Sequence, residues 1–211
     1  MTTHGDIVLQ AQGISKSFPG VKALDDVSII LRSGHLTALL GENGAGKSTL
    51  MNIIAGVFPA DAGEVRLGGK QVRFSNPREA REAGIAMIFQ ELNLIPNLTV
   101  AANIFLGREP MNHLGFIDAA RMNREAAKLL GELDLDVEPT TPLGQLRVGQ
   151  QQVVEIAKAL STNARVLIMD EPTSAITEHE IEVLFGIVEK LKKQGVAIAY
   201  ITHKLEDLTR I

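Results

Sequence analysis

One segment of the sequence has the residue types and spacing of a phosphate-binding loop. GENGAGKS at residues 41–48 matches the pattern GxxxxGKS, with a strand-like run before it and a helical run after it. In such a loop glycines let backbone N–H groups approach phosphate oxygens, Lys47 reaches the β- and γ-phosphates, and the Ser48 hydroxyl ligates Mg²⁺. A glycine-rich turn without function would require all eight positions and both flanking elements to agree by accident. The residues predicted to bind the nucleotide are Gly41, Glu42, Asn43, Gly44, Ala45, Gly46, Lys47, Ser48 and Thr49.

Two carboxylates follow an apolar run in the second half of the chain. VLIMDEP at residues 166–172 has four apolar residues before Asp170 and Glu171. A strand buried on both faces would place Asp170 at the carboxyl edge of a parallel sheet, where it can hold the shell of a Mg²⁺ ion. Glu171 would then orient or deprotonate the attacking water, a contribution of about 10²- to 10⁴-fold in such reactions. Paired acids after a strand often only cap a helix, but the phosphate-binding loop favours the catalytic interpretation.

Three further side chains are candidates for the same site. Gln90 is predicted to end the strand IAMIFQ and His203 the strand VAIAYITH, so both would lie at the edge where ligands gather in parallel sheets. We expect Gln90 to contact the metal and the water, and His203 to sense the γ-phosphate during catalysis. Phe18, just before Pro19 and Gly20, could stack on a purine base, an interaction worth about 1–3 kcal/mol per base. Packing of the Phe18 ring in the core or against a turn is an equally supported alternative.

An unusual helix start lies within LRVGQQQ at residues 146–152. The run QQQVVEIAKAL has apolar residues at helical spacing, which places Arg147 just ahead of a helix. A helix start collects unpaired backbone N–H groups and carries about half a positive charge, so it favours a hydroxyl cap or an anion. Arginine is an unexpected residue there, and the pattern alone leaves open what this helix start binds.

Hydrophobic patterning indicates the elements that must position these residues. Strand-like pieces in the first thirty residues, broken by a Pro-Gly turn at SFPG, indicate a β-rich N-terminal layer. The short run HLTALLG then leads into the phosphate-binding loop and the helical run KSTLMNIIAGV. A hairpin around Gly68 and Gly69, a short helix at PREAREAG and the buried strand IAMIFQ follow.

Helical patterns dominate from about residue 92 to residue 160. VLIMDEP, EHEIEVLFGIVEKLKKQG and VAIAYITH then alternate as strand, helix and strand, which predicts parallel β/α packing. The predicted fold class is therefore α/β, with a P-loop NTPase core on a parallel sheet, an N-terminal antiparallel β layer and an inserted α-helical subdomain. We expect one domain over residues 1–211, with the catalytic core and β layer at about 1–91 and 161–211 and the helical subdomain at about 92–160.

Composition limits the classes of function. The 211 residues include no cysteine, which excludes disulfides, catalytic thiols and thiolate metal sites. Hydrophobic residues make up 45% and charged residues 22%, as in ordinary folded domains, and no apolar run approaches the roughly 20 residues of a membrane span. A net charge of -4 gives no overall basic surface for nucleic acid. The N-terminal residues lack the pattern of a secretory signal, so a cytoplasmic location is expected.

Together these motifs resemble those of the nucleotide-binding subunits of ATP-binding cassette (ABC) transporters, in the same order and over nearly the whole chain. By this resemblance Phe18 is the aromatic contact to the base, residues 41–48 are Walker A, Gln90 is the Q-loop residue, VLIMD is Walker B, SAIT is the D-loop and His203 is the switch histidine. LRVGQ corresponds to the LSGGQ-type signature, formed by Leu146, Arg147, Val148, Gly149 and Gln150. The resemblance implies ATP hydrolysis with ATP and Mg²⁺ as the bound species.

A narrower likeness is to the monosaccharide importers of the ribose, galactose and xylose type. It rests on QELNLIPNLTVAANIFLGREP, VGQQQVVEIAKAL and the run from DEPTSAIT to YITHKLEDL. In that subfamily one polypeptide carries two cassettes, and this chain resembles the first. The resemblance implies that two cassettes close on ATP, between Walker A of one and the signature helix of the other. It also implies a peripheral position on the cytoplasmic side of the inner membrane, where residues 91–106 meet a permease pair that receives sugar from an external binding protein.

Two departures from the family pattern matter. The chain stops at LEDLTRI within a predicted helix, so we expect it to be C-terminally incomplete. Arg147 stands where the family has a serine, whose hydroxyl and helix start hold the γ-phosphate of the partner's ATP. One hypothesis is that the bulkier side chain blocks closure, so that Arg147→Ser in a complete tandem protein raises ATP turnover. The other is that the guanidinium pairs with the γ-phosphate and turnover falls; the first is preferred because a closely approached phosphate leaves little room.

Two other functions are compatible with the same motifs. A soluble cassette protein acting on DNA or ribosomes would share Walker A, the signature and Walker B. The importer-like sequence after Gln90 and the absence of basic arms or coiled-coil inserts favour transport, so no nucleic-acid partner is expected. A degenerate cassette would bind ATP but barely hydrolyse it, yet Walker A, Walker B, Glu171 and His203 are intact. The altered signature would instead serve the opposite site.

Overall fold

The structure, a computed structural model, describes residues 5–42 and 44–210. The strands are β1 (Ile7–Phe18), β2 (Val21–Arg32), β3 (Leu36–Leu40), β4 (Ala62–Leu67), β5 (Lys70–Val72), β6 (Ile85–Ile88), β7 (Val166–Asp170) and β8 (Ala197–Thr202). The helices are α1 (Lys47–Ile54), α2 (Pro77–Glu82), α3 (Val100–Ile104), α4 (Ala119–Glu132), α5 (Val148–Leu160), α6 (Glu178–Lys193) and α7 (Leu205–Arg210), and a short 3-10 turn lies at Leu143–Gln145. The predicted α/β class is confirmed.

The strands form two sheets of four. In the first sheet the order is β2-β1-β4-β5 and neighbours run antiparallel, with β1 and β2 joined by the predicted Pro-Gly turn. In the second sheet the order is β3-β8-β7-β6 and neighbours run parallel. Leu40 pairs with Thr202, and Asp170 pairs with Ile201. Since parallel strands end at one edge, the loop after β3 lies beside the residues that follow β7 and β8.

The two central strands of the parallel sheet are buried on both faces. Residues 166–169 of β7 have no exposed surface, and every residue of β8 is buried. Strands covered on both faces require continuous apolar runs, which explains why VLIM and AIAYI lack polar alternation. Full burial of one large apolar side chain stabilises a fold by about 1.5–3 kcal/mol. The residues that α1 contributes to the same core are Leu50, Met51, Ile53 and Ile54.

Two strands end earlier than the sequence predicts. β6 ends at Ile88 and β8 at Thr202, so Gln90 and His203 follow strands and do not end them. Thr202 pairs with Leu40, the last residue of β3, and no partner strand continues beyond it for His203. The prediction of these two strand ends is wrong. A strand ends where its pairing with the neighbouring strand ends, and an apolar run in the sequence does not show where that is.

The chain contains two compact units. The first comprises the residues up to 90, 164–172 and those from 185 onward, and it contains both sheets. The second comprises residues 91–163 and 173–184, and in it α3, α4 and α5 pack on one another. The helical subdomain predicted at about 92–160 does not contain residues 173–184, since nothing in their pattern links them to so distant a segment. No helix in the described part of the chain is long and apolar enough to cross a membrane.

A buried asparagine orders the segment ahead of α3 in the second unit. Asn103 has no exposed surface, and its Oδ1 accepts a hydrogen bond from the N–H of Ile95 at 2.7 Å. Its Nδ2 donates to the carbonyl oxygens of Ile95 and Thr99, both at 3.0 Å. Buried polar groups of this kind are stable only when paired, so the side chain fixes residues 95–99 in one conformation.

Candidate functional site

The phosphate-binding loop connects β3 to α1. Gly46 precedes α1 with a φ of 85°, and a Cβ there would meet the carbonyl oxygen of Ala23 at 2.5 Å, so only glycine fits. Gly44 also has a left-handed φ of 84°, but the space around its missing side chain is open. α1 has no side-chain cap, which leaves the N–H groups of its first turn for an anion. Asn43, predicted to bind the nucleotide, lies outside the described residues.

Lys47 is held by the loop itself. Its Nζ donates to the carbonyl oxygen of Gly41 at 2.7 Å and to that of Glu42 at 2.8 Å. The ammonium group therefore lies against the loop. These two residues hold the lysine and do not line the cavity described next.

An open cavity of about 480 Å³ lies beside this loop in the first unit. Its lining brings together the loop, the two carboxylates and the glutamine that the sequence predicts. Residues 21–23 of β2 also line it and are not predicted, because nothing beyond their place after the Pro-Gly turn sets them apart. The lining residues are Val21, Lys22, Ala23, Gly44, Ala45, Gly46, Lys47, Ser48, Thr49, Gln90, Asp170 and Glu171.

Ser48 and Asp170 supply oxygen atoms that suit a magnesium ion. Burial raises the pKa of the Asp170 carboxyl, the hydrogen bond with Ser48 lowers it, the neighbouring Glu171 raises it and Lys47 lowers it, with a net rise. A cation would offset the cost of this half-buried charge, and hydroxyl and carboxylate oxygens are ligands that Mg²⁺ prefers. Within the described residues no three His, Cys, Asp or Glu side chains cluster as a metal site. An ion here would therefore complete its shell with water and phosphate oxygens.

Glu171 and His203 are in direct contact. His203 Nδ1 lies 2.9 Å from Glu171 Oε1. The exposed fraction of the Glu171 side chain is 13%, whereas that of His203 is 45%. Glu171 has a φ of 48°, and its N–H donates to the carbonyl oxygen of Ile201 at 3.0 Å. This left-handed conformation turns the chain sharply after β7 and fixes where the carboxylate leaves the sheet edge.

Phe18 does not line the cavity. Its ring is 39% exposed and packs edge-on against Phe58, with ring centroids 5.5 Å apart at an interplanar angle of 88°. Lys16 Nζ lies 5.7 Å from the centroid of the Phe18 ring. Part of the ring thus has a packing role, and stacking of its exposed part on a base stays a prediction.

The unusual helix start lies in the second unit. α5 begins at Val148, and Arg147 precedes it as predicted. The N–H of Arg147 donates to Gln150 Oε1 at 3.1 Å, while its guanidinium has no acceptor with which to cap the helix and is exposed. Leu146 is buried, whereas Val148 is 44% exposed. The serine of the family pattern would offer a hydroxyl at the position where Arg147 offers none.

A carboxylate that sequence reasoning missed lies at this helix start. Glu180 Oε1 accepts a hydrogen bond from the N–H of Gly149 at 3.1 Å. Its Oε2 accepts from both the N–H and the hydroxyl of Thr177, each at 2.8 Å. Glu180 lies in the first turn of α6, where an acidic residue is ordinary. No sequence signal therefore connects it with a glycine on another helix.

Comparison with known sequences identifies relatives over the whole chain. A family model described as "ABC transporter" matches residues 24–174. The ribose import ATP-binding protein of Rhodopirellula baltica is 63% identical over 211 residues, which are 100% of this chain and 41% of that protein. A putative ribose/galactose/methyl galactoside import ATP-binding protein of Agrobacterium fabrum is 54% identical over 208 residues, 99% of this chain and 40% of its own length. The chain thus spans about two fifths of the length of these curated relatives.

Solved structures share the fold. The ADP conformation of an ATP-binding cassette of an ABC transporter matches with a TM-score of 0.85 and 32% identity, covering 98% of this chain and 85% of that one. A dimeric cassette in a post-hydrolysis state, bound to ADP and Pi, matches with a TM-score of 0.80 and 26% identity, covering 96% and 90% of the two chains.

Proposed function

Because the chain belongs to the ABC transporter family, we propose that it is an ATP-hydrolysing cassette that powers uptake of a sugar through a membrane permease. The observation that carries the proposal is the cavity in which the phosphate-binding loop meets Asp170 and Glu171. The names of the relatives, which are import proteins for ribose, galactose or methyl galactoside, support the transport part. Their greater length leaves room for a second cassette in the same polypeptide.

The loop residues bind the phosphates of ATP. N–H groups at the start of α1 receive phosphate oxygens, and the Lys47 ammonium exchanges its bonds to Gly41 and Glu42 for bonds to the β- and γ-phosphates. Ser48, Asp170 and Gln90, which line the same cavity, would hold Mg²⁺, and the ion would supply positive charge to the phosphate oxygens. Phe18 presents the exposed part of its ring to the adenine.

Glu171 acts on the water that attacks the γ-phosphate. Its carboxylate accepts the proton of the water as the new P–O bond forms and the bond to the β-phosphate oxygen breaks, which gives ADP and Pi. His203 holds one carboxylate oxygen in place and senses the γ-phosphate. Both groups belong to one compact unit, so their contact does not depend on a second chain.

Productive closure requires a second cassette. The start of α5, with Leu146, Arg147, Val148, Gly149 and Gln150, faces the γ-phosphate bound by the opposite cassette, as in the arrangement that the resemblance implies. The dimeric relative bound to ADP and Pi supports such pairing. We propose that residues 91–106 meet the permease subunits at the cytoplasmic side of the inner membrane, and that an external sugar-binding protein delivers the sugar.

Reconstitution of the full-length protein with its permease subunits tests the proposal. Vesicles in which the cassettes face the interior should accumulate external sugar in the interior. They should do so only when ATP and Mg²⁺ are enclosed in the vesicles. Co-purification with a hydrophobic membrane subunit is the expected biochemical sign. ATP hydrolysis that is stimulated by nucleic acid, without any such subunit, would overturn the transport proposal.

A further inference from the structure

The start of α5 already holds an anion from its own chain. The Glu180 carboxylate accepts the N–H of Gly149 with one oxygen and both polar groups of Thr177 with the other. Gly149 makes this approach possible, because a Cβ on it would collide with the Glu180 carboxyl group. The carboxylate therefore lies directly on the helix start and is not merely near it.

Local interactions hold the pKa of the Glu180 carboxyl below its usual value. The backbone and hydroxyl hydrogen bonds from Thr177 lower its pKa most, and the N–H of Gly149 and the charge of Arg147 lower it further. α5 is 13 residues long, so the unpaired N–H groups at its start carry a substantial part of a helix dipole. The Glu180 carboxylate thus offsets this partial positive charge when no second cassette lies opposite the helix start.

The proposed function requires the same N–H groups for another ligand. The γ-phosphate of the opposite nucleotide must approach the start of α5, and one N–H group cannot serve two anions in full. Two negative charges in contact also repel each other. Glu180 and the γ-phosphate therefore compete.

We propose that Glu180 is a positioning residue that occupies the start of α5 while the two cassettes are apart and yields it to the γ-phosphate of the opposite nucleotide. This inference rests on the proposed function, since it assumes a nucleotide bound across from α5. When Oε1 leaves Gly149, the same side chain must also rearrange at Thr177, within the SAIT segment. Binding of the γ-phosphate at the start of α5 thereby changes the contacts of the SAIT segment.

The test compares ATP and ADP binding to the full-length protein with and without Glu180→Gln. Lys47→Ala is added to every sample so that binding at this chain's own loop is weakened and the remaining affinity reports the site opposite α5. Glutamine keeps a carbonyl oxygen for Thr177 or Gly149 but removes the charge. We expect Glu180→Gln to tighten ATP binding roughly three- to tenfold. ADP binding should stay the same, because ADP has no γ-phosphate.

Glu182→Gln is the matched control, since Glu182 is an exposed glutamate of the same helix. It should leave both affinities unchanged, and Glu180→Asp, which keeps the charge, should not tighten ATP binding. Unchanged or weaker ATP binding by Glu180→Gln would overturn the inference, and so would an equal gain for ADP. If glutamine disturbs folding, as judged by circular dichroism, Glu180→Ser serves the same comparison. Failure of the unsubstituted full-length protein to bind ATP would contradict the proposed function itself.

Discussion

Glu171 adopts a backbone conformation that residues other than glycine rarely take. Its φ of 48° follows directly after the buried strand β7, and its N–H is tied to Ile201 of the neighbouring strand. Strained residues of this kind cost about 1–3 kcal/mol and persist where the surrounding structure holds them, often at functional sites. The contact with His203 then leaves the carboxylate little freedom to rotate. In the proposed function, a carboxylate held in this way is ready to act on a positioned water.

Glu171→Gln is expected to trap ATP and reduce turnover by about 10²- to 10⁴-fold, because the amide cannot accept the proton of the attacking water. Steady-state phosphate release by the full-length protein measures this effect. ATP binding should be retained, since the phosphate-binding loop is unchanged, and equilibrium binding is the control. Unchanged turnover would remove Glu171 from the role of base.

Asp170 gives the nucleotide-free chain a pH-dependent stability. Burial is the largest cause of its raised pKa, so the folded state binds the proton more tightly than the unfolded chain does. Stability therefore falls as the pH rises from the usual aspartate value of 3.8 through the raised pKa, and the full cost is present above it. Asp170→Asn should raise the Tm at pH 7 in the absence of Mg²⁺, and the gain should vanish in acid.

Differential scanning calorimetry at both pH values checks this expectation. Mg²⁺ with ATP should stabilise the unsubstituted chain and lose most of that effect in Asp170→Asn, because the substitution removes a proposed metal ligand. A lower Tm for Asp170→Asn at pH 7 without Mg²⁺ would contradict this expectation, because it would show that the ionised Asp170 carboxylate does not destabilise the folded chain.

At the scale of the element, the loop between β3 and α1 contains two glycines with nearly the same φ but different surroundings. Gly46→Ala must push a methyl group against the carbonyl oxygen of Ala23, whereas Gly44→Ala meets no neighbouring atom. Both substitutions carry the strain of a left-handed φ, about 1–2 kcal/mol. We expect Gly46→Ala to reduce the free energy of unfolding by more than that, and Gly44→Ala to serve as its matched control. Equal losses in urea denaturation would contradict the close approach at Ala23.

Much of the core site follows from the sequence because its residues lie next to recognisable elements. The apolar runs before Gly41 and Asp170 predict two strands of one parallel sheet, and parallel strands end at one edge. Other features depend on contacts that no local pattern records. The approach of Glu180 to Gly149, the packing of Phe18 on Phe58 and the exact ends of β6 and β8 are set by tertiary neighbours. The hydrophobic periodicity of one helix does not show which residue of another helix contacts it.

At the scale of the whole molecule, the two halves of the predicted chemistry lie in different compact units. The phosphate-binding loop, Asp170 and Glu171 belong to the first, and the α5 start belongs to the second. By the proposed function each nucleotide needs the loop of one cassette and the helix start of another. By that proposal, a single cassette alone is an incomplete catalyst.

The 211-residue chain in dilute solution is expected to bind ATP but to turn it over roughly 10²-fold more slowly than the full-length protein, because donors to the transition state are missing. ATPase assays over a range of chain concentrations measure this difference. A rate that rises steeply with concentration would indicate that two copies pair. Equal, concentration-independent rates for the two proteins would contradict the composite site.

The order of the parallel sheet also has a consequence for synthesis on the ribosome. β3 has β8 as its neighbour in the sheet, and Leu36 pairs with Ile198, so the strand that leads into the phosphate-binding loop cannot pair with β8 until residues up to 202 have been synthesised. Contacts between residues this far apart require a long loop to close before they stabilise anything, which makes such sheets slow to form. The apolar strand β3 and its loop emerge early but acquire their partner late. The nascent protein is therefore exposed to aggregation, or to binding by chaperones, until β8 has left the ribosome.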